Sequence, residues 1–271
     1  RFVIALYCEA LPIINFYGLK LIQDKESIFK CYKNNQNTIG LVISGIGNIN
    51  SAAATIYLKS TIFSSKKSIW INIGTGGHYK FKQGKIYHIK KVTSAIAPND
   101  ILYSSAVINN IESYEVFNVA KEETGFQVKD KIYEMEAYGF LKTLEKFSYR
   151  ELTCIIKIIS DNSKNKPSNF TEYATDIIDS KINTIDKILK EYLKLANEVD
   201  ILDDALIDKV LKKFLMSFSN KEKVTKLLTK VEFIEGKNSL KKRIAQATHL
   251  KVLIRDLENI IKEYTLEINH E

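Results

Sequence analysis

The chain is poor in cysteine and lacks long apolar runs, and each shortage excludes a class of protein. Three cysteines occur in 271 residues, at Cys8, Cys31 and Cys154. Three widely spaced cysteines favour neither a disulfide framework nor a metal cluster, so we expect no metal and a location in the reducing cytoplasm. No apolar run reaches the roughly 18 residues that a membrane-spanning helix needs, so no contact with a membrane is expected.

Arginine is also scarce, although the formal net charge is +8. Of the 40 lysines and arginines, only four are arginine, at Arg1, Arg150, Arg243 and Arg255. Proteins that bind nucleic acid usually use arginine, because the guanidinium group matches phosphate geometry. The positive charge therefore gives only weak support for nucleic acid as a partner.

Apolar runs and helical patterns alternate over residues 1–199. An apolar run at residues 38–44 meets Gly45-Ile-Gly47, and a helix is predicted from Asn48, as its N-cap, to residue 58. A second strand, at residues 68–73, runs into a predicted glycine loop at residues 74–77. Further strands are predicted at residues 2–7, 85–92, 131–135 and 152–159, and helices at 136–147 and 171–195. This alternation predicts an α/β domain with a mixed central sheet flanked by helices.

Residues 200–271 have a different character, which predicts an all-α appendage. They contain one glycine, no proline and no strand-like alternation. Apolar residues recur at helical spacing at Leu202, Leu206, Val210, Leu211 and Phe214. Ser219-Asn-Lys-Glu222 predicts a capping box that opens a second helix. A longer helix is predicted from about Ser239, with an apolar stripe at Ile244, Leu250, Leu253, Ile254, Leu257 and Ile261. These stripes predict a helical core or a partner interface.

Acidic residues follow three of the apolar runs. Glu9 comes after the first strand, Glu136 after the run that ends at Met135, and Asp161 after the last. Ligand crevices of open α/β sheets lie at such strand ends. Glu9 is either a partly desolvated base or a helix N-terminal residue favoured by the dipole. If their strands are neighbours, Glu136 and Asp161 lie side by side, and two such acids tend to divide into a proton donor and an acceptor, as glycosidic cleavage requires.

The two glycine segments are candidate ligand loops. Glycine between a strand and a helix exposes backbone N–H groups, which suit an anion or the edge of a sugar or base. Neither segment carries the full dinucleotide-binding or P-loop pattern, and simple turn formation is the alternative explanation. His78 follows the second segment and is a candidate ligand contact.

Together these motifs resemble the purine nucleoside phosphorylase superfamily, and within it the methylthioadenosine/adenosylhomocysteine nucleosidases. The resemblance covers residues 1–198 in order. It rests on Cys8-Glu-Ala-Leu-Pro12, Ser44-Gly-Ile-Gly47, Asn72-Ile-Gly-Thr-Gly-Gly77, Glu134-Met-Glu-Ala137 and Ile159-Ser-Asp161. The chain departs from the pattern at Thr75, where the family has serine, and at Lys157, where it has arginine.

The resemblance implies catalytic roles for Glu9, which activates water, and Asp161, which acts at the purine N7. Met135 is implied to pack on the ribose, and Glu136 to hold its hydroxyl groups. The other implied substrate-binding residues are Ile46, Thr75, Gly76, His78, Phe126, Glu134 and Ser160. Asp161 must keep its proton near neutral pH, so we predict that it is desolvated and accepts a hydrogen bond from Ser160. Phe126 is a purine-stacking candidate, with a core or lid role as the alternative.

The implied function is hydrolysis of the N-glycosidic bond of a purine nucleoside, possible substrates being methylthioadenosine or an S-adenosylhomocysteine-like compound. No cofactor is expected, and the resemblance implies a homodimer or larger oligomer. Phosphorolysis is one alternative, but no arginine lies between Arg1 and Arg150, and Lys80, Lys82 and Lys157 offer only point charges for phosphate. The other is a nucleoside-sensing or partner-binding module, since the helical extension resembles one in nucleosidase-like proteins associated with radical-based DNA photoproduct repair.

Overall fold

The computed structural model describes residues 1–23, 26–62, 68–105, 111–123, 125–198 and 204–268. The chain divides into two compact units, Arg1–Val199 and Asp200–Glu271. The first is a mixed sheet with helices and the second is helical, which confirms the predicted fold class. In the described part of the chain, no helix is both long enough and apolar enough to cross a membrane.

The first unit contains ten strands and five α-helices among its described residues. The strands are β1 (Phe2–Ile4), β2 (Lys20–Leu21), β3 (Cys31–Lys33), β4 (Gly40–Ile43), β5 (Trp70–Gly77), β6 (Ile86–Ser94), β7 (Ala97–Tyr103), β8 (Ser113–Asn118), β9 (Ile132–Glu134) and β10 (Thr153–Asp161). The helices are α1 (Tyr7–Phe16), α2 (Asn48–Thr61), α3 (Ala137–Leu144), α4 (Phe170–Asp179) and α5 (Ile182–Glu198).

Strand β5 is the branch point of the sheet. On one side it pairs with β1, which continues through β4 and β3 to β2. It also pairs with β10 and β9, and β10, β6, β8 and β9 are linked in turn, so these four strands and β5 form a closed ring. Gly77 at the end of β5 pairs with Tyr133 of β9 and with Asp161 of β10. The strands that lead to Glu136 and Asp161 are therefore separated by β5 and are not direct neighbours.

The predicted glycine loop at residues 74–77 is wrong, because these residues continue β5. A side chain at Gly76 would place its Cβ 2.7 Å from Ile132 Cγ2 and 2.9 Å from the Tyr133 carbonyl oxygen. Glycine thus lets β9 approach the backbone of β5, as glycine within a strand often does. The next element is strand β6, not a helix, so of the two glycine segments only Gly45-Ile-Gly47 lies between a strand and a helix.

The predicted N-cap of α2 is also wrong. Gly47, with a φ of 99°, occupies that position, and Asn48 is the first helical residue. The Asn48 side chain joins neighbouring elements instead: its Nδ2 donates to Asn118 Oδ1 at 2.6 Å, and its Oδ1 accepts from the Gly139 N–H at 2.9 Å. Helices α2 and α3 are thereby tied to the end of β8.

The other boundaries predicted in the first unit hold to within a few residues, with one exception. The helix predicted at residues 171–195 is two helices, α4 and α5, because the chain turns at Ser180 and Lys181. The core of this unit packs strand side chains such as Val3, Trp70 and Ile155 against α2 and α3.

The second unit is built from α6 (Asp204–Lys213), α7 (Phe218–Glu235), α8 (Lys237–Gln246) and α9 (Leu250–Ile268). The N-cap of α7 is Ser217, whose Oγ accepts from the Asn220 N–H at 3.3 Å, so the predicted capping box at Ser219 is wrong. The long helix predicted from Ser239 is two helices, α8 and α9. Leu202 lies outside the described residues. The remaining predicted stripe residues pack in one core or against it.

Candidate active site

A cavity of about 480 Å³ lies where β5, β9 and β10 end in the first unit. This volume falls within the range of about 300–1,000 Å³ that is typical of small-molecule sites. Nine of the predicted site residues line it, namely Glu9, Ile46, Thr75, Gly76, Glu134, Met135, Glu136, Ser160 and Asp161. His78 and Phe126 do not.

Glu9 lies in the first turn of α1 and also lines the cavity. Its two predicted roles, as a base and as a helix N-terminal acid, are therefore compatible. Its Oε2 accepts from the Leu6 N–H at 3.3 Å, which holds the start of the helix. Its Oε1 accepts from the Thr75 N–H at 2.8 Å and from Thr75 Oγ1 at 2.9 Å. The threonine at this position therefore fixes the orientation of the carboxylate.

Glu134 is a buried acid whose oxygens are already occupied by protein donors. Its Oε2 accepts from the N–H groups of Glu136 at 3.0 Å and Ala137 at 2.7 Å, and its Oε1 accepts from Asn118 Nδ2 at 2.7 Å. Lys157 Nζ lies 3.0 Å from Oε2. A negative charge at the first turn of α3 is favourable because the N-terminus of a helix carries partial positive charge. These contacts support the backbone of Glu136.

Glu136 precedes α3 and lines the cavity with fewer partners. Its Oε1 accepts from the Gly47 N–H at 3.0 Å, and its Oε2 lies 3.7 Å from Lys157 Nζ. Burial raises the pKa of Glu136 to about 7, and the charge of Glu134 acts in the same direction. The ammonium group of Lys157 opposes both effects by favouring the carboxylate.

Asp161 ends β10 and carries the predicted hydrogen bond, which Ser160 Oγ donates to its Oδ1 at 2.6 Å. Burial raises the pKa of Asp161 above its usual range, whereas the Ser160 hydrogen bond lowers it. Desolvation, not the serine, therefore favours the protonated form. The position of the Asp161 carboxyl also depends on glycine at residue 77, because a Cβ at Gly77 would lie 2.8 Å from Asp161 Oδ2.

His78, a predicted ligand contact, lies instead in the turn after β5. Its Nδ1 accepts from the N–H groups of Lys80 at 3.1 Å and Phe81 at 3.2 Å. The ring stacks on Phe81 at a centroid distance of 3.5 Å, and burial lowers the pKa of His78 to about 4. The side chain is fully enclosed and does not line the cavity.

Phe126 is a core residue, which is one of the alternatives to purine stacking given above, and it does not line the cavity. It is 3% exposed and packs edge-to-face on Tyr133 at a centroid distance of 5.5 Å. Phe170, the first residue of α4, does line the cavity and is partly exposed. The phenylalanine that can face a ligand therefore comes from the segment after β10, not from the segment before β9.

Sequence reasoning missed several lining residues, namely Ala5, Leu6, Gly77, Val119, Glu122, Glu123, Tyr133, Lys166 and Phe170. Glu122 and Lys166 form an ion pair between the loops that follow β8 and β10. Their only signal in the sequence is a position shortly after a strand end, and β8 itself is not predicted. Both charges act on Asp161, since Lys166 lowers the pKa of that acid and Glu122 raises it.

Comparison by sequence finds no matching family model and no matching curated relative. Comparison by structure finds 5′-methylthioadenosine nucleosidase of Arabidopsis thaliana at a TM-score of 0.58 and 16% identity, over 70% of this chain and 94% of that one. The chain therefore shares the fold of this nucleosidase over that length. The resemblance that the motifs predicted is confirmed at the level of the fold.

Two further solved structures share this fold. The 5′-methylthioadenosine/S-adenosylhomocysteine nucleosidase of Campylobacter jejuni has a TM-score of 0.56 at 15% identity, covering 70% of this chain and 97% of that one. The futalosine hydrolase of Helicobacter pylori has a TM-score of 0.55 at 14% identity, covering 70% and 96%. At these identities the likeness concerns the fold, so the chemistry of this chain has to be argued from its own cavity.

Proposed function

We propose that the first unit is an N-glycosyl hydrolase that cleaves the bond between base and ribose in a purine nucleoside. The observation that carries the proposal is the convergence of Glu9, Glu136 and Asp161, from three distant segments, on one cavity. Similarity in fold to proteins that are named nucleosidases and a hydrolase supports it.

Asp161 is the proposed general acid. Because burial raises its pKa, the protonated form persists to higher pH than for an exposed aspartate. A proton donated to N7 makes the purine a better leaving group. General acid catalysis of this kind contributes about 10²–10⁴-fold to the rate.

Glu136 and Glu9 are proposed to act on the sugar. As the base departs, the ribose acquires positive charge, which the Glu136 carboxylate stabilises while it accepts hydrogen bonds from the ribose hydroxyls. Met135 lines the cavity and offers an apolar surface to the ribose. Glu9, held by Leu6 and Thr75, orients a water molecule towards the anomeric carbon.

Water is favoured over phosphate as the nucleophile. The described residues that line the cavity include Lys166 as a cation but no arginine, and Lys166 is paired with Glu122. Lys157 lies against Glu134 and Glu136, and neither Lys80 nor Lys82 lines the cavity. A phosphate dianion would therefore meet several carboxylates and find few free cations.

The proposal is tested by incubating the full chain with adenosine, inosine, guanosine, methylthioadenosine and S-adenosylhomocysteine, each with and without phosphate. We expect free base and free sugar at rates that do not depend on phosphate. Absence of base release from every nucleoside would refute the activity. Release of ribose 1-phosphate only when phosphate is present would replace hydrolysis by phosphorolysis.

Asp161→Asn provides the matching mutational test. Asparagine keeps the size of the side chain but has no proton to transfer, so kcat should fall by about 10²–10⁴-fold while nucleoside binding is retained. Asp176→Asn is the control, because this aspartate is exposed on α4. An undiminished kcat in the Asp161 variant would rule out the proposed role.

A further inference from the structure

Lys157 is a buried lysine beside two of the acids that line the cavity. It lies in the middle of β10, and its side chain is 1% exposed. Its Nζ is 3.0 Å from Glu134 Oε2 and 3.7 Å from Glu136 Oε2. Lys157 Nζ and Glu9 Oε1 also approach the same side of Gly74, where a Cβ would lie 3.5 Å and 3.4 Å from them.

A lysine in such a place keeps its charge only if anions surround it. Burial lowers the pKa of Lys157, but the carboxylates of Glu134, Glu136 and Glu9 more than offset that effect, so the net shift is upward. One ammonium group is thus shared among several acids. The closest of them is Glu134, to which the proposed mechanism gives no role at the sugar.

We propose that Lys157 is a positioning residue shared by Glu134 and Glu136, and that its ammonium group holds Glu136 as the carboxylate that receives the ribose hydroxyls. This inference rests on the proposed function, which supplies the role of Glu136. The geometry makes the sharing unequal. Glu134 has the shorter distance to Lys157 and three further N–H donors, whereas Glu136 has one, from Gly47.

The groups that face Glu136 set the direction of each expected change. They are Lys157 on β10, Glu134 on β9, Glu9 on α1 and the Gly47 N–H before α2. Removal of the Lys157 charge should raise the pKa of Glu136, because burial and Glu134 then act unopposed. Removal of the Glu134 charge should lower it, because Lys157 is left with Glu136 as its near partner. A merely structural role would not give shifts of opposite sign.

The test is a titration of Glu136 in the ligand-free full chain, followed by NMR of carboxyl-¹³C glutamate and assigned with Glu136→Gln. The variants are Lys157→Met, which keeps the apolar stem, Glu134→Gln, and Lys157→Arg, which keeps the charge. We expect the titration midpoint to rise in Lys157→Met, to fall in Glu134→Gln, and to stay near that of the wild type in Lys157→Arg.

If Lys157→Met does not fold, Glu134→Gln and Lys157→Arg still decide the question. The proposal is overturned if the Glu136 midpoint is unchanged or higher in Glu134→Gln. It is also overturned if Lys157→Arg, which keeps the charge, raises the midpoint as much as loss of the charge should. Shifts of the same sign in Lys157→Met and Glu134→Gln also overturn it.

Enzyme kinetics give a second readout that separates this inference from the proposed function. If the ionised form of Glu136 is needed, kcat/KM decreases as the pH falls through its pKa. That acid limb should move to higher pH in Lys157→Met and to lower pH in Glu134→Gln. If the wild-type chain releases no base although the NMR shifts occur, the proposed function fails while the electrostatic role of Lys157 stands.

Discussion

Asp161 is subject to opposing influences from its nearest neighbours. Burial raises its pKa, Ser160 and Lys166 lower it, and Glu122 raises it, with a net upward shift. The influences of Ser160, Lys166 and Glu122 can be removed separately, because each comes from a different side chain. In the proposed mechanism the balance fixes the pH range over which the acid still holds its proton.

Ser160→Ala should move the alkaline limb of kcat/KM to higher pH. The serine donates to the Asp161 carboxylate at 2.6 Å and so favours the ionised form, and its loss raises the pKa further. Since the acid must be protonated to act, activity then persists to higher pH. The measurement is kcat/KM against pH, with Ser180→Ala, on α4's C-cap, as the control. A shift to lower pH would contradict the assignment.

At the level of elements, the joint between α2 and α3 holds Glu136 in place. Gly139 lies so close to α2 that an added Cβ would come 2.1 Å from the Asn48 carbonyl oxygen. The Gly139 N–H also donates to Asn48 Oδ1, and Asn48 in turn binds Asn118, the residue that donates to Glu134. The start of α3, and with it the Glu136 backbone, is therefore fixed by packing as well as by hydrogen bonds.

Gly139→Ala should destabilise the first unit, although alanine is the better helix former by about 1 kcal/mol. The new methyl group meets backbone that cannot rotate away, and overpacking of this kind costs about 1–3 kcal/mol. Urea unfolding monitored by circular dichroism measures the change. Ala53→Gly, at an exposed position of α2, measures the effect of helix propensity alone. Any gain in stability in the Gly139 variant would refute the argument.

The elements also show what the sequence could predict and what it could not. Long apolar runs such as β5 and β10 are recognisable, and the acids that follow such runs meet at one cavity because strand ends converge there. Strands β7 and β8 are not predicted, because many of their residues are polar or partly exposed. His78 packs on Tyr114 and Phe126 lies against Gly77, and these contacts join distant segments that no local pattern contains.

At the level of the whole chain, every lining residue among those that the structure describes belongs to the first unit. The second unit has its own apolar core, which includes Leu228, Val231 and Leu257. We therefore place the proposed chemistry in the first unit alone. Association into a homodimer and binding of nucleic acid stay predictions from the sequence.

Leu228→Ala should destabilise the second unit without changing the unfolding transition of the first. Leu228 is fully buried in the second unit, and such a truncation costs about 2–5 kcal/mol. We expect one unfolding transition to move to lower denaturant concentration while kcat/KM for base release is unchanged. Leu58→Ala, equally buried in α2 of the first unit, is the matched control and should shift the other transition. Loss of base release in the Leu228 variant would show that the extension takes part in the reaction.

The chain carries a formal charge of +8, yet Glu9, Glu122, Glu123, Glu134, Glu136 and Asp161 all line its cavity. The described lining contains one cation, Lys166, against these six acids, so its charge is opposite in sign to that of the whole chain. Nucleotides, whose phosphate esters are anionic, should therefore bind in this cavity more weakly than the corresponding nucleosides. An inhibitor with a protonated nitrogen in its sugar ring should bind in the cavity more tightly than its neutral analogue.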